Sequence, residues 1–178
     1  MSYAEIIILA IVLSVDAFTV SFSYGLCFDK NRGKNALLLG LSTGVFQALM
    51  PAIGYFLAYF IRDFISPYSK FIIFVIFLYL GIKFIKEAFE EKQTPSCISI
   101  ACLLLIGIAT SIDAFSAGIS LLLAGNHIAK PVLLIGLTTF INSIGGFNLA
   151  KIFRKLPSKT LEILAGLALI ILGLKALI

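Results

Sequence analysis

Residues 4–26 read AEIIILAIVLSVDAFTVSFSYGL. The stretch runs for 23 residues, apolar except for Glu5 at its start, a few hydroxyl side chains and one aspartate, Asp16, its thirteenth residue. About 20 mainly apolar residues let a helix cross the hydrocarbon of a bilayer. An aspartate at the centre of such a helix costs at least about 2.5 kcal/mol on insertion scales, so its presence points to a task. The segment lacks a basic start and is too long for the apolar core of a cleaved leader, so it is expected to remain as a span.

The motif around Asp16 returns. Leu13-Ser-Val-Asp-Ala-Phe-Thr19 is matched by Thr110-Ser-Ile-Asp-Ala-Phe-Ser116, with Asp113 standing 97 residues after Asp16. The following segments align as well, Gly40-Leu-Ser-Thr43 with Gly136-Leu-Thr-Thr139 and Leu80-Gly-Ile-Lys83 with Leu172-Gly-Leu-Lys175. The common order implies an internal duplication, with repeat 1 at about 4–89 and repeat 2 at about 97–178.

Composition agrees with a membrane interior. Of 178 residues, 60% are hydrophobic and 13% charged, and the mean hydropathy is +1.08. A water-soluble chain is nearer half apolar and a quarter charged, and one this small lacks the volume to hide the excess. Apolar runs recur at about 4–26, 36–60, 69–89, 97–124, 129–152 and 159–178. Their length excludes the short alternating segments of a β-barrel, and open strands cannot satisfy their backbone in lipid. The expected fold is an all-α polytopic membrane protein, a single domain of six transmembrane helices. Three spans per repeat put the second repeat into the membrane from the opposite side, giving two inverted three-helix repeats, an architecture used by secondary transporters.

The loops after spans one, three and five, with their flanks, hold ten Lys and Arg (Lys30, Arg32, Lys34, Lys83, Lys86, Lys92, Lys151, Arg154, Lys155, Lys159). The opposite side holds four, Arg62, Lys70, Lys130 and Lys175. The positive-inside rule therefore places both termini on the non-cytoplasmic side. The net charge of +5 reflects this topology and contact with membrane lipids; it is not a nucleic-acid footprint.

Asp16 and Asp113 occupy equivalent positions, and each has hydroxyls on its own helical face, Thr19 and Ser23 for the first, Ser116 and Ser120 for the second. Gln47 lies mid-span, and Pro51 four residues on removes the helical partner of its carbonyl. Asn142 and Ser143 match that depth in the second repeat, followed by Gly145-Gly146, a pair that permits a kink or close packing. Two carboxylates with amide, hydroxyl and carbonyl oxygens form a donor set for a hard divalent cation. The candidate ligands are Asp16, Asp113, Thr19, Ser116, Gln47 and Asn142. When the ion leaves, two adjacent carboxylates in a low dielectric repel, and protons are the expected counter-ion. The plainer role for the same residues is hydrogen bonding between helices.

The paired Asp-Ala-Phe segments, Gly44-Val-Phe-Gln-Ala-Leu-Met-Pro-Ala-Ile-Gly54, Phe77-Leu-Tyr-Leu-Gly-Ile-Lys-Phe-Ile-Lys-Glu-Ala-Phe89 and Leu161-Glu-Ile-Leu-Ala-Gly-Leu167 resemble the manganese efflux pump (MntP) family, within the LysE-type exporter superfamily. The resemblance covers nearly the whole chain. It implies export of Mn²⁺ as the transported substrate from a prokaryotic cytoplasm across the plasma membrane, with Asp16 and Asp113 as the acidic residues that matter. Some members carry glutamate where this chain has Gln47, and the surroundings of Asn142 and Asn148 depart from the family pattern.

Three other classes stand beside that reading. A passive cation channel would share the acidic midplane and ignore a pH gradient. An exporter of another small solute would share the fold. A transmembrane thiol relay would use Cys27, Cys97 and Cys102, but these break the repeat symmetry and form no C-x-x-C. No glycine-rich nucleotide loop is present, and a non-enzymatic protein without a prosthetic group is expected. His127, the single histidine, falls in a loop, and Glu162 begins the last run, where an acid suits a helix N-terminus. Glu87, Glu90 and Glu91 sit between Lys86 and Lys92 and are expected to form a solvated face.

Overall fold

A computed structural model describes residues 2–28, 30–60, 66–87, 89 and 99–151, with Ile163, Leu167, Ile170, Ile171 and Leu174 beyond them. The described elements are all helical. In chain order they are α1 (Tyr3–Cys27), α2 (Arg32–Phe60), a 3₁₀ turn (Ser66–Tyr68), α3 (Ser69–Glu87), α4 (Ile100–Ala109), α5 (Ile112–Leu123) and α6 (Ala129–Leu149). Ser2 starts α1 through a reciprocal capping box with Glu5, which gives that acid a structural role.

Among the described residues, α1, α2 and α6 are each long and apolar enough to cross a membrane, and α4 with α5 pass as a fourth crossing bent by 41°. The third expected span is α3, whose apolar part is Ser69–Leu80. The sixth, at 159–178, lies outside the described residues apart from single positions.

The fourth expected span, 97–124, is a correction: it is two helices and not one. The break falls at Thr110-Ser111, while α2 runs unbroken through Pro51 and α6 through Gly145-Gly146. Its cause is local competition for carbonyls. Thr110 Oγ1 donates to Ile106 O at 2.9 Å and Ser111 Oγ to Ile108 O at 3.1 Å. Thr110 O itself accepts from the Gln47 amide at 2.8 Å. Hydroxyls that bond back to their own turn, with a carbonyl drawn out of the ladder, bend or end a helix. In α1 the equivalent pair is Leu13-Ser14, which lacks the first hydroxyl, and α1 continues.

Side-chain contacts fix the helix directions. α1 and α6 lie side by side and parallel: Lys130 Nζ donates to Tyr3 Oη at 2.9 Å at one end, and Gly25 meets Phe147 near the other. α2 runs parallel to α4 and α5, with Ser42 Oγ donating to Leu103 O and Gly118 lying against Pro51 further along. A Cβ at Gly118 would stand 2.1 Å from Pro51 O, so only glycine allows this approach. α2 and α6 cross antiparallel where Gly44 faces Gly136 and Gly40 faces Phe140. α3 packs on α5 and adds Ile73, Phe77 and Leu80 to the core formed with Leu9 and Leu13 of α1 and Ala117 and Leu121 of α5.

The polarity of this bundle is that of a membrane protein. Its outward faces carry Leu41, Val45, Phe56, Leu57, Leu133, Leu137 and Ile141, all exposed, while Ser14, Thr43, Gln47, Ser111, Asp113, Thr139 and Ser143 are buried. Such a surface suits contact with lipid, and the polar side chains are gathered inside the bundle.

Arg32 clamps one end. Its Nη1 donates to Gly25 O and its Nη2 to Phe147 O, each at 2.8 Å, and the guanidinium sits 5.1 Å from the centre of the Phe147 ring. One side chain thus joins the start of α2 to the ends of α1 and α6. Lysine cannot reproduce this fork. Arg32→Lys is expected to lower the unfolding free energy of the detergent-purified protein by about 1.5–3 kcal/mol, the range for hydrogen bonds from a charged donor. Thermal unfolding followed by size-exclusion checks it.

Candidate functional site

The bundle is most polar where α1, α2, α6 and the α4–α5 break come together. The organiser is Gln47, fully buried on α2. Its Nε2 donates to Leu13 O at 3.0 Å and to Thr110 O at 2.8 Å. Leu13 and Thr110 are equivalent residues of the duplicated motif, each three positions before its aspartate. One amide therefore ties both motif segments to the same helix. With both protons of Nε2 engaged, Oε1 is oriented as an acceptor, and it is buried without a hydrogen-bond partner among the described residues.

The two aspartates share a local geometry. Asp16 Oδ1 accepts from Ala17 N at 2.6 Å, and Asp113 Oδ1 accepts from Ala114 N at 2.8 Å. Their settings differ. Asp16 is half-buried in the middle of a continuous helix, while Asp113 is 2% exposed and lies in the first turn of α5, directly after the break. A helix N-terminus favours a negative group, so the break provides an electrostatic setting for Asp113 that α1 does not provide for Asp16. Among the described residues no group of three or more His, Cys, Asp or Glu side chains gathers.

The other expected ligands are placed unevenly. Asn142 is half-buried and donates from Nδ2 to Ser14 Oγ at 2.6 Å, two residues before Asp16. Ser143, beside it, pairs with Ser21 of α1 through their hydroxyls. Thr19 is buried, and its hydroxyl donates to Val15 O at 2.8 Å within α1. Ser116 is half-buried, and its carbonyl accepts from Ser120 Oγ at 3.3 Å. Hydrogen bonds thus join Gln47 to both motif segments and Asn142 to the first, while the Thr19 hydroxyl and the Ser116 carbonyl bond within their own helices. Asn148 is exposed and donates to Ile144 O at 3.0 Å, away from this cluster.

Two participants were not singled out as ligands from the residues alone. Ser14 is part of the repeated motif, and that recurrence was a usable signal. Thr139 also lies in a repeated segment; it is fully buried, and its Oγ1 has no hydrogen-bond partner. An apolar groove of about 320 Å³ between α2 and α6 is lined by Leu41, Val45, Leu133, Leu137 and Phe140. Its walls offer no ligand to a cation. Of the cysteines, Cys27 is free and exposed at the end of α1, Cys102 in the first turn of α4 is disulfide-bonded, and Cys97 lies outside the described residues. His127 is exposed in its loop.

Comparison with known proteins bears on what this arrangement serves. The family model described as "Putative manganese efflux pump" matches residues 30–177. A protein of that name from Aliarcobacter butzleri is 43% identical over 177 residues, covering 98% of this chain and 98% of the relative. Another from Methanothermobacter thermautotrophicus is 36% identical over 178 residues, covering 100% and 97%. A third from Crocosphaera subtropica is 38% identical over 181 residues, covering 100% and 96%. No solved structure matches the chain. With the family pattern matched over most of its length and full-length relatives in bacteria and archaea, the chain belongs to the manganese efflux pump family.

Proposed function

We propose that this protein exports Mn²⁺ across a prokaryotic plasma membrane by secondary active transport, in exchange for protons, and that Asp16 and Asp113 carry the cation. The observation that supports this most is the Gln47 amide bridging Leu13 O and Thr110 O. It draws the two aspartate-bearing segments to one side chain at one depth, among oxygen donors that suit a hard divalent ion. Membership of a family whose members are named for manganese efflux supports the cargo and the direction.

The exchange follows from charge. A divalent cation compensates two carboxylates. Without it the pair repels in a low dielectric, so release of one ion is matched by uptake of about two protons. The half-helix ends at the α4–α5 break agree with transporter sites built on discontinuous helices.

The architecture we propose is a single domain of two inverted three-helix repeats, 4–89 and 97–178, crossing six times. The packing supports it. The contact of Gly44 with Gly136 maps under the repeat onto that of Phe140 with Gly40, and both occur. The α1–α6 pairing maps onto that of α4 and α5 with α2. Lys30, Arg32, Lys34 and Lys151 belong to the end where α1 and α6 finish, Lys130 to the opposite end, in keeping with termini outside the cytoplasm.

The test is cellular Mn content and Mn tolerance in an exporter-deficient bacterium expressing the protein. Lower cell Mn and restored tolerance are expected. Unchanged Mn with the protein present in the membrane would rule out the cargo.

A further inference from the structure

Gln47 Oε1 on α2 and Thr139 Oγ1 on α6 are buried side-chain oxygens with no hydrogen-bond partner among the described residues, and both residues are 0% exposed. Gln47 has a place in the site above. Thr139 has none, and it differs from its counterpart in the other repeat. Thr43, also 0% exposed, donates its hydroxyl to Leu39 O at 2.9 Å and reaches Gly40 O at 3.3 Å. The same back-bond is open in principle to any threonine in a helix, and Thr139 does not make it.

The position of Thr139 is defined by its helical neighbours. One turn before it, Gly136 lies against α2 at Gly44. One turn after it, Asn142 and Ser143 reach Ser14 and Ser21 of α1. Gly136, Thr139, Ser143 and Gly146 form a single buried stripe, so the hydroxyl belongs to the face of α6 shared by α1 and α2. A buried hydroxyl without a partner is unfavourable and calls for an explanation, such as an ion. A dehydrated divalent cation seeks neutral oxygens beside its carboxylates.

We propose that Thr139 supplies a neutral oxygen to the permeating divalent cation from α6, as Gln47 does from α2, and that Thr43 does not. This rests on the Mn²⁺ export reading. The two repeats are thereby unequal: one threonine fastens its own helix, and the other is left for the cargo.

The test compares Thr139→Val, Thr139→Ser and Thr43→Val with wild type at equal membrane abundance. The readouts are the Mn²⁺ dependence of export, Mn²⁺ binding to the purified protein, and thermal unfolding without metal. Valine keeps the shape of threonine and removes the hydroxyl. Thr139→Val is expected to raise the half-saturating Mn²⁺ concentration and the dissociation constant about tenfold, with metal-free thermal stability equal to or above wild type, because no bond is lost. Thr139→Ser stays within about threefold. Thr43→Val loses the hydrogen bond its hydroxyl shares between Leu39 O and Gly40 O, and with it thermal stability, and keeps wild-type Mn²⁺ dependence. A merely structural Thr139 would give the reverse, lower stability with unchanged Mn²⁺ dependence, and that overturns the proposal. So does an equal effect of Thr43→Val on Mn²⁺ dependence. Wild type that neither binds nor moves Mn²⁺ removes the export reading itself and this proposal with it, whereas wild type that does both beside an unaffected Thr139→Val removes only this proposal.

Discussion

Asp16→Asn and Asp113→Asn each bring Mn²⁺ export down to the level of cells lacking the protein, with the variants still present in the membrane. Asparagine is close in shape and keeps the oxygen that accepts from Ala17 N or Ala114 N, so the fold has little reason to change. The charge is what disappears. Removing one partner of a buried pair of charges costs about 3–5 kcal/mol, and each 1.4 kcal/mol is tenfold in affinity, so cation binding falls by at least about a hundredfold. The two sites are expected to differ on harsher change. Asp113 is 2% exposed and Asp16 half-buried, so Asp113→Leu should impair folding more than Asp16→Leu. Quantitative immunoblotting beside the export assay separates folding from transport. Export retained in either asparagine variant would remove that aspartate from the site.

Gln47→Leu has the second largest expected effect, and it acts on both fold and function. The leucine fills similar space, but Leu13 O and Thr110 O lose the amide that bonds them at 3.0 and 2.8 Å. Each of these hydrogen bonds contributes about 0.5–1.5 kcal/mol net, giving a loss of about 1–3 kcal/mol in stability. Gln47→Glu discriminates further. An ionised carboxylate would point oxygen at two carbonyls and be repelled, and a protonated one would restore only one of the two bonds. Its stability should fall between wild type and Gln47→Leu. Relatives with an acid at this position would need compensating changes near Leu13 and Thr110. The measurement is thermal unfolding of purified variants, with Mn²⁺ export in cells. A Gln47→Leu protein as stable as wild type would show that the bridge does not hold the motif segments.

What could be read in advance followed from periodicity and length. The first span was expected at 4–26 and is Tyr3–Cys27; the fifth was expected at 129–152 and is Ala129–Leu149. These are long apolar runs bounded by turn residues, where the signal is strong. Pro51 was expected to free the carbonyl of residue 47 and Gly145-Gly146 to permit a kink or close packing; both helices continue through these residues, and Gly146 lies close against Phe18 of α1. The break came at Thr110-Ser111, where two adjacent hydroxyls bond back to their own turn. The Gln47 amide bonds Thr110 O there and Leu13 O in unbroken α1 alike, so the hydroxyl at position 110 is what differs between the repeats. The depth of Gln47 was visible from its place in the run, but its hold on two equivalent carbonyls depends on how three segments pack.

The site divides along the same line. Asp16 and Asp113 stood out because a charge in an apolar run is conspicuous and because the motif recurs. Thr19 and Ser116 rest on helical spacing alone, and the Thr19 hydroxyl bonds back to Val15 O on its own helix. Nothing in the sequence separates Thr139 from its counterpart Thr43, and only the comparison with the back-bonded Thr43 sets it apart.

The most direct test of coupled export is flux in sealed vesicles containing only the purified protein. Mn²⁺ is trapped inside, and the outside is made acidic relative to the lumen. Inward proton flow should accelerate Mn²⁺ release, and the acceleration should disappear when a protonophore collapses the gradient with membrane voltage clamped. Asp16→Asn and Asp113→Asn vesicles should release no faster than empty ones. Mn²⁺ release that is fast, saturates poorly and ignores the pH gradient would contradict the exchange mechanism and identify a passive pathway instead.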